Sequence, residues 1–210
     1  MSVIEGGSST TNIIQRVQNI LIKPAAEWDV IEREPATVPG LFTGYAVILA
    51  AIPPVALVIQ HLLFIHWGLL AIIVIAALTY VASLVGVFIL GLIFDALAPS
   101  FGGEKNQVQA MKAAVYPYTA GWVAGVLNIV PVLGVLAIIA AIYGLYILWL
   151  GLPKLMKVPA DKAVGYVVVS LVVAIVINAV IGAIIGGITA AMMFSAAATG
   201  AAALGGLPHY

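Results

Sequence analysis

The amino-acid sequence predicts an all-α fold: a polytopic membrane helical bundle of five transmembrane helices, N-terminus in and C-terminus out, preceded by short N-terminal amphipathic helices. Three observations carry this. First, 64% of the residues are hydrophobic and 8% are charged, where a soluble domain holds about 25% charged residues. Second, five stretches each reach the roughly 20 apolar residues that a helix needs to cross the hydrocarbon core. Third, all eight Lys and Arg residues fall on one side of a chain that crosses five times.

The first span runs from about Val38 to Leu63 and the second from Trp67 to Phe94. The third runs from about Val108 to Leu127, the fourth from Ile129 to Leu152, and the fifth from Ala163 to about Phe194. Arg16, Lys23 and Arg33 precede the first span. Lys105 and Lys112 stand between the second and third, and Lys154, Lys157 and Lys162 between the fourth and fifth. The other side receives His61 to His66, Asn128 and the C-terminal tail, with no Lys or Arg. The eight acidic residues follow the same partition. Clustered Lys and Arg mark the cytoplasmic side. Adding or removing one span scrambles the pattern. Residues 1–36 are then a cytoplasmic segment, 37–194 the membrane domain, and 195–210 a flexible outer-side tail.

The composition also excludes classes. A formal net charge of zero leaves no basic patch to neutralise phosphates, so no nucleic-acid partner is expected. Without cysteine there is no disulfide, thiolate metal site or cysteine nucleophile. Residues 1–40 show no apolar stretch ending in a small-residue cleavage site, so no cleaved signal peptide is expected. His61, His66 and His209 match no metal-ligand spacing. No catalytic set, no cofactor site and no metal site is expected, and the chain reads as no enzyme.

Ahead of the first span, Ile13, Ile14, Val17, Ile20 and Leu21 recur at helical spacing on one face. Thr11 or Asn12 is placed to cap this helix. Pro24 suits the first turn of a second helix, with Glu27 and Asp29 near its positive end. Trp28 and Ile31 share a face there, and Pro35 stops it. Two readings stand. The apolar face lies on the inner leaflet as an interfacial helix, or it packs against the cytoplasmic ends of the spans.

Within the membrane domain, Asp95 ends the second span. An ionisable residue at membrane depth is a functional hypothesis by default; pairing with Lys112 is the structural alternative. Asn178 lies near the middle of the fifth span, where an amide bonds across to a neighbouring helix or to a ligand. Gly121–Gly125 and Gly182–Gly186 are GxxxG patterns that permit close helix contact. Gly102 and Gly103 mark a turn with positive φ. Pro53, Pro54 and Pro117 interrupt the first and third spans. They are kinks satisfied by neighbouring helices or broken helices that expose backbone to a ligand.

Residues 113–144 carry no charge. They read as the third span turning directly into the fourth, with Asn128 capping the fourth helix and Pro131 in its first turn. A third helix that began at Pro117 would cover only about 16 Å before Asn128. It must begin near Val108 and kink at Pro117, or the segment is re-entrant. Tyr116 and Tyr118 flank that kink, which makes it the first place to look for a pocket.

Several stretches carry a family resemblance: the "FGG" turn, "YPYTAGWVAGVLNIVP", "IYGLYILWLGLPKLMKVP", the "KAVGY" that opens the last span, and "KPAAEWDVIERE" near the N-terminus. They resemble bacterial members of the Yip family, the Ypt/Rab-interacting proteins, over roughly Ile13 to Phe194. The resemblance implies five spans, a cytoplasmic N-terminus and, for bacterial members, the cytoplasmic membrane. Eukaryotic members act in vesicle traffic and bind prenylated Rab GTPases. They carry an Asp-Leu-Tyr-Gly-Pro motif before the first span, where this chain has "ATVPGLFTGY". The family implies no reaction and no catalytic residue.

Two functional expectations follow. One is a non-enzymatic protein of the Yip type that organises membrane, or binds lipids, a protein partner or a second copy of itself, at the cytoplasmic face. The other is a small transporter or channel with a pocket among spans 1, 2, 3 and 5, drawn from Asp95, Tyr116, Pro117, Tyr118, Tyr143, Tyr146 and Asn178. No small-molecule ligand is named by the residues.

Overall fold

The computed structural model describes residues 8–64 and 68–205, with side chains from 13 onward up to 192, and Phe194. His66, Trp67 and His209 lie outside the described residues. All described secondary structure is helical. Helix α1 covers Ser8–Ile22 and α2 covers Pro24–Arg33. The first span is a composite of α3 (Val38–Leu41), a π-turn (Phe42–Ala46), α4 (Val47–Ala50) and α5 (Ile52–Phe64). Helix α6 (Leu69–Leu97) follows. Then come α7 (Gln107–Val115), α8 (Tyr118–Ala124), α9 (Leu136–Leu155) and α10 (Ala160–Gly205).

Among the described residues, four stretches are long and apolar enough to cross a membrane: Val38–Phe64, Leu69–Phe101, Pro131–Leu155 and Ala160–Met192. They match the first, fourth and fifth expected spans to within three residues, and the second runs on past Phe94 to Phe101. The third expected span is not one helix. It is α7, a turn at Tyr116 and Pro117, α8, and a 3₁₀ turn over Gly125–Ile129. Pro117 lacks the N–H that would continue the ladder, so the interruption falls where the sequence places it. The hairpin beyond is wider than expected. A second 3₁₀ turn covers Pro131–Val135, so α9 begins only at Leu136. Val130, and not Asn128, stands at the N-cap of that turn, with no side-chain cap bond. Helix α10 runs on to Gly205, through most of the stretch assigned to a tail.

Contacts fix the directions of the segments. Gly91 lies against Met111, and Trp122 Nε1 donates to Ser83 Oγ at 3.2 Å, so α7–α8 runs antiparallel to α6. The Pro117 carbonyl lies against Gly144, so α8 is antiparallel to α9 as well. Tyr45 meets Thr119 and Pro53 meets Gly125, so the broken segment runs parallel to the first span. Tyr166 Oη donates to the Phe94 carbonyl at 2.7 Å and Gly86 faces Ile181, which sets α10 antiparallel to α6.

Several glycines are fixed by close approach. A Cβ at Gly125 would stand 2.5 Å from Pro53, at Gly144 it would stand 2.8 Å from the Pro117 carbonyl, and at Gly151 it would stand 2.2 Å from the Trp28 indole. Gly102, at φ +74°, makes the turn that ends the second span. Its neighbour Gly103 sits against the Met156 carbonyl, which accepts from the Glu104 N–H at 2.9 Å. By contrast, a Cβ at Gly182 or Gly186 would meet nothing within 4 Å. No neighbouring helix packs closely on these two glycines among the described residues.

The N-terminal helices are docked into the bundle. Ile20, Trp28 and Ile31 are fully buried, and Ile13, Val17 and Leu21 pack against the same core, while Ile14 remains exposed. Trp28 Nε1 donates to the Ile147 carbonyl at 3.0 Å, and Tyr143 Oη donates to the Leu21 carbonyl at 2.7 Å. The core therefore joins α1 and α2 to α9, and most of the amphipathic face covers protein.

Gly151→Ala is expected to displace the Trp28 indole and to destabilise the chain by about 1–3 kcal/mol, the usual cost of overpacking. Thermal unfolding in detergent measures this, with Gly182→Ala as the control expected to leave the transition unchanged.

Candidate functional site

The expected site residues separate into two places. The first is a cleft of about 810 Å³ between α1, α2, the start of the first span and α7. Its charged lining is Arg16, Glu27, Glu34 and Lys112, and Tyr45 and Tyr116 close its inner end. Arg16 pairs with both Glu27 and Glu34, and its guanidinium lies 5.8 Å from the Tyr116 ring centroid. Such a cation over an aromatic face is held by the ring quadrupole.

The local sequence explains this geometry. The π-turn "FTGYA" adds one residue to the first span, with Val47 N–H reaching back to the Phe42 carbonyl. It sets the Tyr45 hydroxyl 2.8 Å from Thr119 Oγ1 and the Tyr45 ring 5.0 Å from that of Tyr116. Single π-turns of this kind recur at functional sites. Gly44, in the same turn, lines the cleft, and a Cβ there would meet nothing within 4 Å.

Lys112 does not pair with Asp95. It is buried and donates to the Ile31 and Glu34 carbonyls at 2.7 and 2.6 Å. Those carbonyls close the C-terminal end of α2, where backbone acceptors lack intrahelical partners and a positive charge is favoured. Gln109 Nε2 adds a bond to the Glu32 carbonyl at 2.8 Å. The start of the broken segment thus caps α2. Asp95 stays at the end of α6, with Oδ1 buried and lacking a hydrogen-bond partner among the described residues. Outside the spans, the Lys154 ammonium bonded to Asp29 holds that carboxyl below its usual range. Glu104, 2.8 Å from Lys157, raises the Lys157 ammonium.

The second place is a cavity of about 410 Å³ between α6, α7–α8, α9 and α10. Pro117, Tyr118 and Asn178 line it. The expected pocket had the first span as a wall, where the cavity has α9 instead. Tyr116 turns away to the charged cleft. Tyr143 is engaged with α1, and Tyr146 is half exposed beside it, with ring centroids 5.8 Å apart. Sequence reasoning missed Arg16, Glu27, Glu34, Tyr45 and Gly121. Arg16 carried a signal, since it interrupts the apolar stripe between Ile13 and Ile20.

These features define an all-α, multi-pass membrane protein whose charged end is covered by two docked helices. The Yip1 domain family model matches residues 19–182, and the chain belongs to that family. No curated protein and no solved structure matches it. The match begins within α1, so the docked α2 falls inside the extent of the family domain.

Lys112→Met removes the donor to two carbonyls at the end of α2, at a cost of about 1–3 kcal/mol for each buried polar group left unpaired. Amide hydrogen exchange is expected to quicken over residues 24–34 and to stay unchanged over residues 160–170.

Proposed function

We infer that this is a non-enzymatic membrane protein that crosses the bilayer five times and binds the headgroup of a cytoplasmic-leaflet phospholipid in the cleft between α1, α2 and the first span. The observation that carries this is the composition of the cleft. Two cations, Arg16 and Lys112, stand beside two anions, Glu27 and Glu34, with apolar Ile13, Val30 and Leu41 in the same wall. A zwitterionic headgroup offers a phosphate to the first pair and an ammonium to the second. An anionic headgroup meets two opposing carboxylates. Lys112 has three N–H donors and gives two of them to carbonyls.

Five passes are supported by the alternating directions of the segments and by the absence of Lys and Arg from the hairpin around 129–136. Residues 8–36 of the cytoplasmic segment then form a cap on the 37–194 membrane domain, in a bacterial cytoplasmic membrane. Because the chain has no cysteine, single-cysteine labelling needs no background removed. An impermeant maleimide added to intact cells is expected to label Val132→Cys and to spare Lys105→Cys and Asp161→Cys. Equal labelling of Val132→Cys and Lys105→Cys means the broken segment re-enters instead of crossing.

Binding is tested without disturbing the ion pairs. Trp28 and Ile31 are core residues, so deleting the cap would unmake the bundle. Gly44→Phe fills the cleft instead. In native mass spectrometry of the full chain, phosphatidylethanolamine is expected to outlast phosphatidylglycerol, and Gly44→Phe to weaken its retention at least tenfold. Equal retention of the two lipids, or retention indifferent to Gly44→Phe, overturns the reading.

A further inference from the structure

The cavity at the Pro117 interruption is separate from the charged cleft and has different chemistry. No charged side chain lines it. Its volume of about 410 Å³ falls in the range of small-ligand sites, about 300–1,000 Å³. The residues at its mouth, Ile138, Ile142 and Ile175, are 61%, 63% and 57% exposed. On helices this apolar, exposed isoleucines face hydrocarbon, so the cavity opens sideways into the bilayer. A polar solute has no path through such walls, which leaves nothing in this cavity to support a water-filled channel.

One polar pair breaks the apolar lining. Asn178 Nδ2 donates to the Ala174 carbonyl at 2.7 Å and to Tyr118 Oη at 2.8 Å. A backbone carbonyl only accepts, so the amide nitrogen is the atom that faces it, and both its hydrogens are then committed. Asn178 Oδ1 remains as an acceptor, and the Tyr118 hydroxyl hydrogen remains as a donor. An amide at mid-span with an unused acceptor is costly in hydrocarbon. A donor and an acceptor side by side match one chemical group best, a hydroxyl, which both accepts and donates. A ketone or ester carbonyl would satisfy only the tyrosine.

We propose that this cavity binds a lipid alcohol taken laterally from the bilayer, its hydrocarbon against Leu90, Phe94 and Leu148 and its hydroxyl between Tyr118 Oη and Asn178 Oδ1. The interruption at Pro117 makes the space. With the ladder broken and the Pro117 carbonyl seated on Gly144, α8 leaves α7 at a turn, and the gap lies beside that turn. The same turn brings Tyr118 to Asn178.

The test uses the full chain in nanodiscs and a diazirine-bearing long-chain alcohol as photolabel, with the unlabelled alcohol, its methyl ether and the matching alkane as competitors. The alcohol is expected to compete at least tenfold better than the ether or the alkane. Gly121 lines the cavity, and a Cβ there would meet nothing within 4 Å. Gly121→Leu is therefore expected to abolish labelling with the melting temperature unchanged. Tyr118→Phe and Asn178→Leu are expected to lower labelling about tenfold and to abolish the preference for the alcohol. Gly44→Phe, in the other site, is expected to leave labelling intact. Labelling indifferent to both Gly121→Leu and Asn178→Leu, or an alkane that competes as well as the alcohol, overturns the proposal.

Discussion

The bundle is organised around one tryptophan. Trp28 is fully buried, its indole lies on the face of Gly151, and its N–H is satisfied by the Ile147 carbonyl. An indole carries a large apolar area and one donor that must find a partner when buried. Here the partner is backbone of a membrane helix, and only a glycine leaves room for the ring. Tyr116 packs edge-on against the same indole at 6.0 Å. Because Tyr116 also meets Tyr45 and Arg16, the placement of Trp28 sets the geometry of the charged cleft. The cap is in this sense part of the core of the membrane domain.

The broken third segment is the counterpart of that plug. Intact, it would be one more apolar rod. Interrupted at Pro117, it does three separate things along its length. Its first turns supply Lys112 and Gln109 to the end of α2. Its middle presents a carbonyl to Gly144 and leaves a void beside it. Its last turn seats Gly125 on the Pro53 ring, where the first span has its own break.

The helical class and four of the long spans were legible because hydropathy over about 20 residues is a strong and local signal. The interruption at Pro117 was legible because a missing N–H has one consequence wherever it falls in a helix. Where partners had to be named, sequence reading did less well. Lys112 looked like a counter-ion for Asp95, since both stand near the ends of adjacent spans. It caps α2 instead, an acceptor that charge-matching does not consider. Tyr116 and Tyr118 are two residues apart and so point away from each other on a helix, which divided the single expected pocket in two. The π-turn left no mark in "FTGYA", because one inserted residue in a predominantly apolar span does not disturb its hydropathy.

The ion pairs of the described residues share one property. Arg16 with Glu27 and Glu34, Lys154 with Asp29, and Lys157 with Glu104 all join the N-terminal helices or the loops around 102–106 and 156–162. The hairpin at the opposite end has no ionised side chain between Gly125 and Leu136. Mobile ions screen exposed charges over about 8 Å at physiological ionic strength. Salt on the capped side therefore acts directly on the contacts that hold the cap and its cleft, while at the hairpin it finds no Lys, Arg, Asp or Glu to screen. Among the described residues the charge is one-sided: a change of ionic strength loosens the capped face and passes unnoticed at the hairpin.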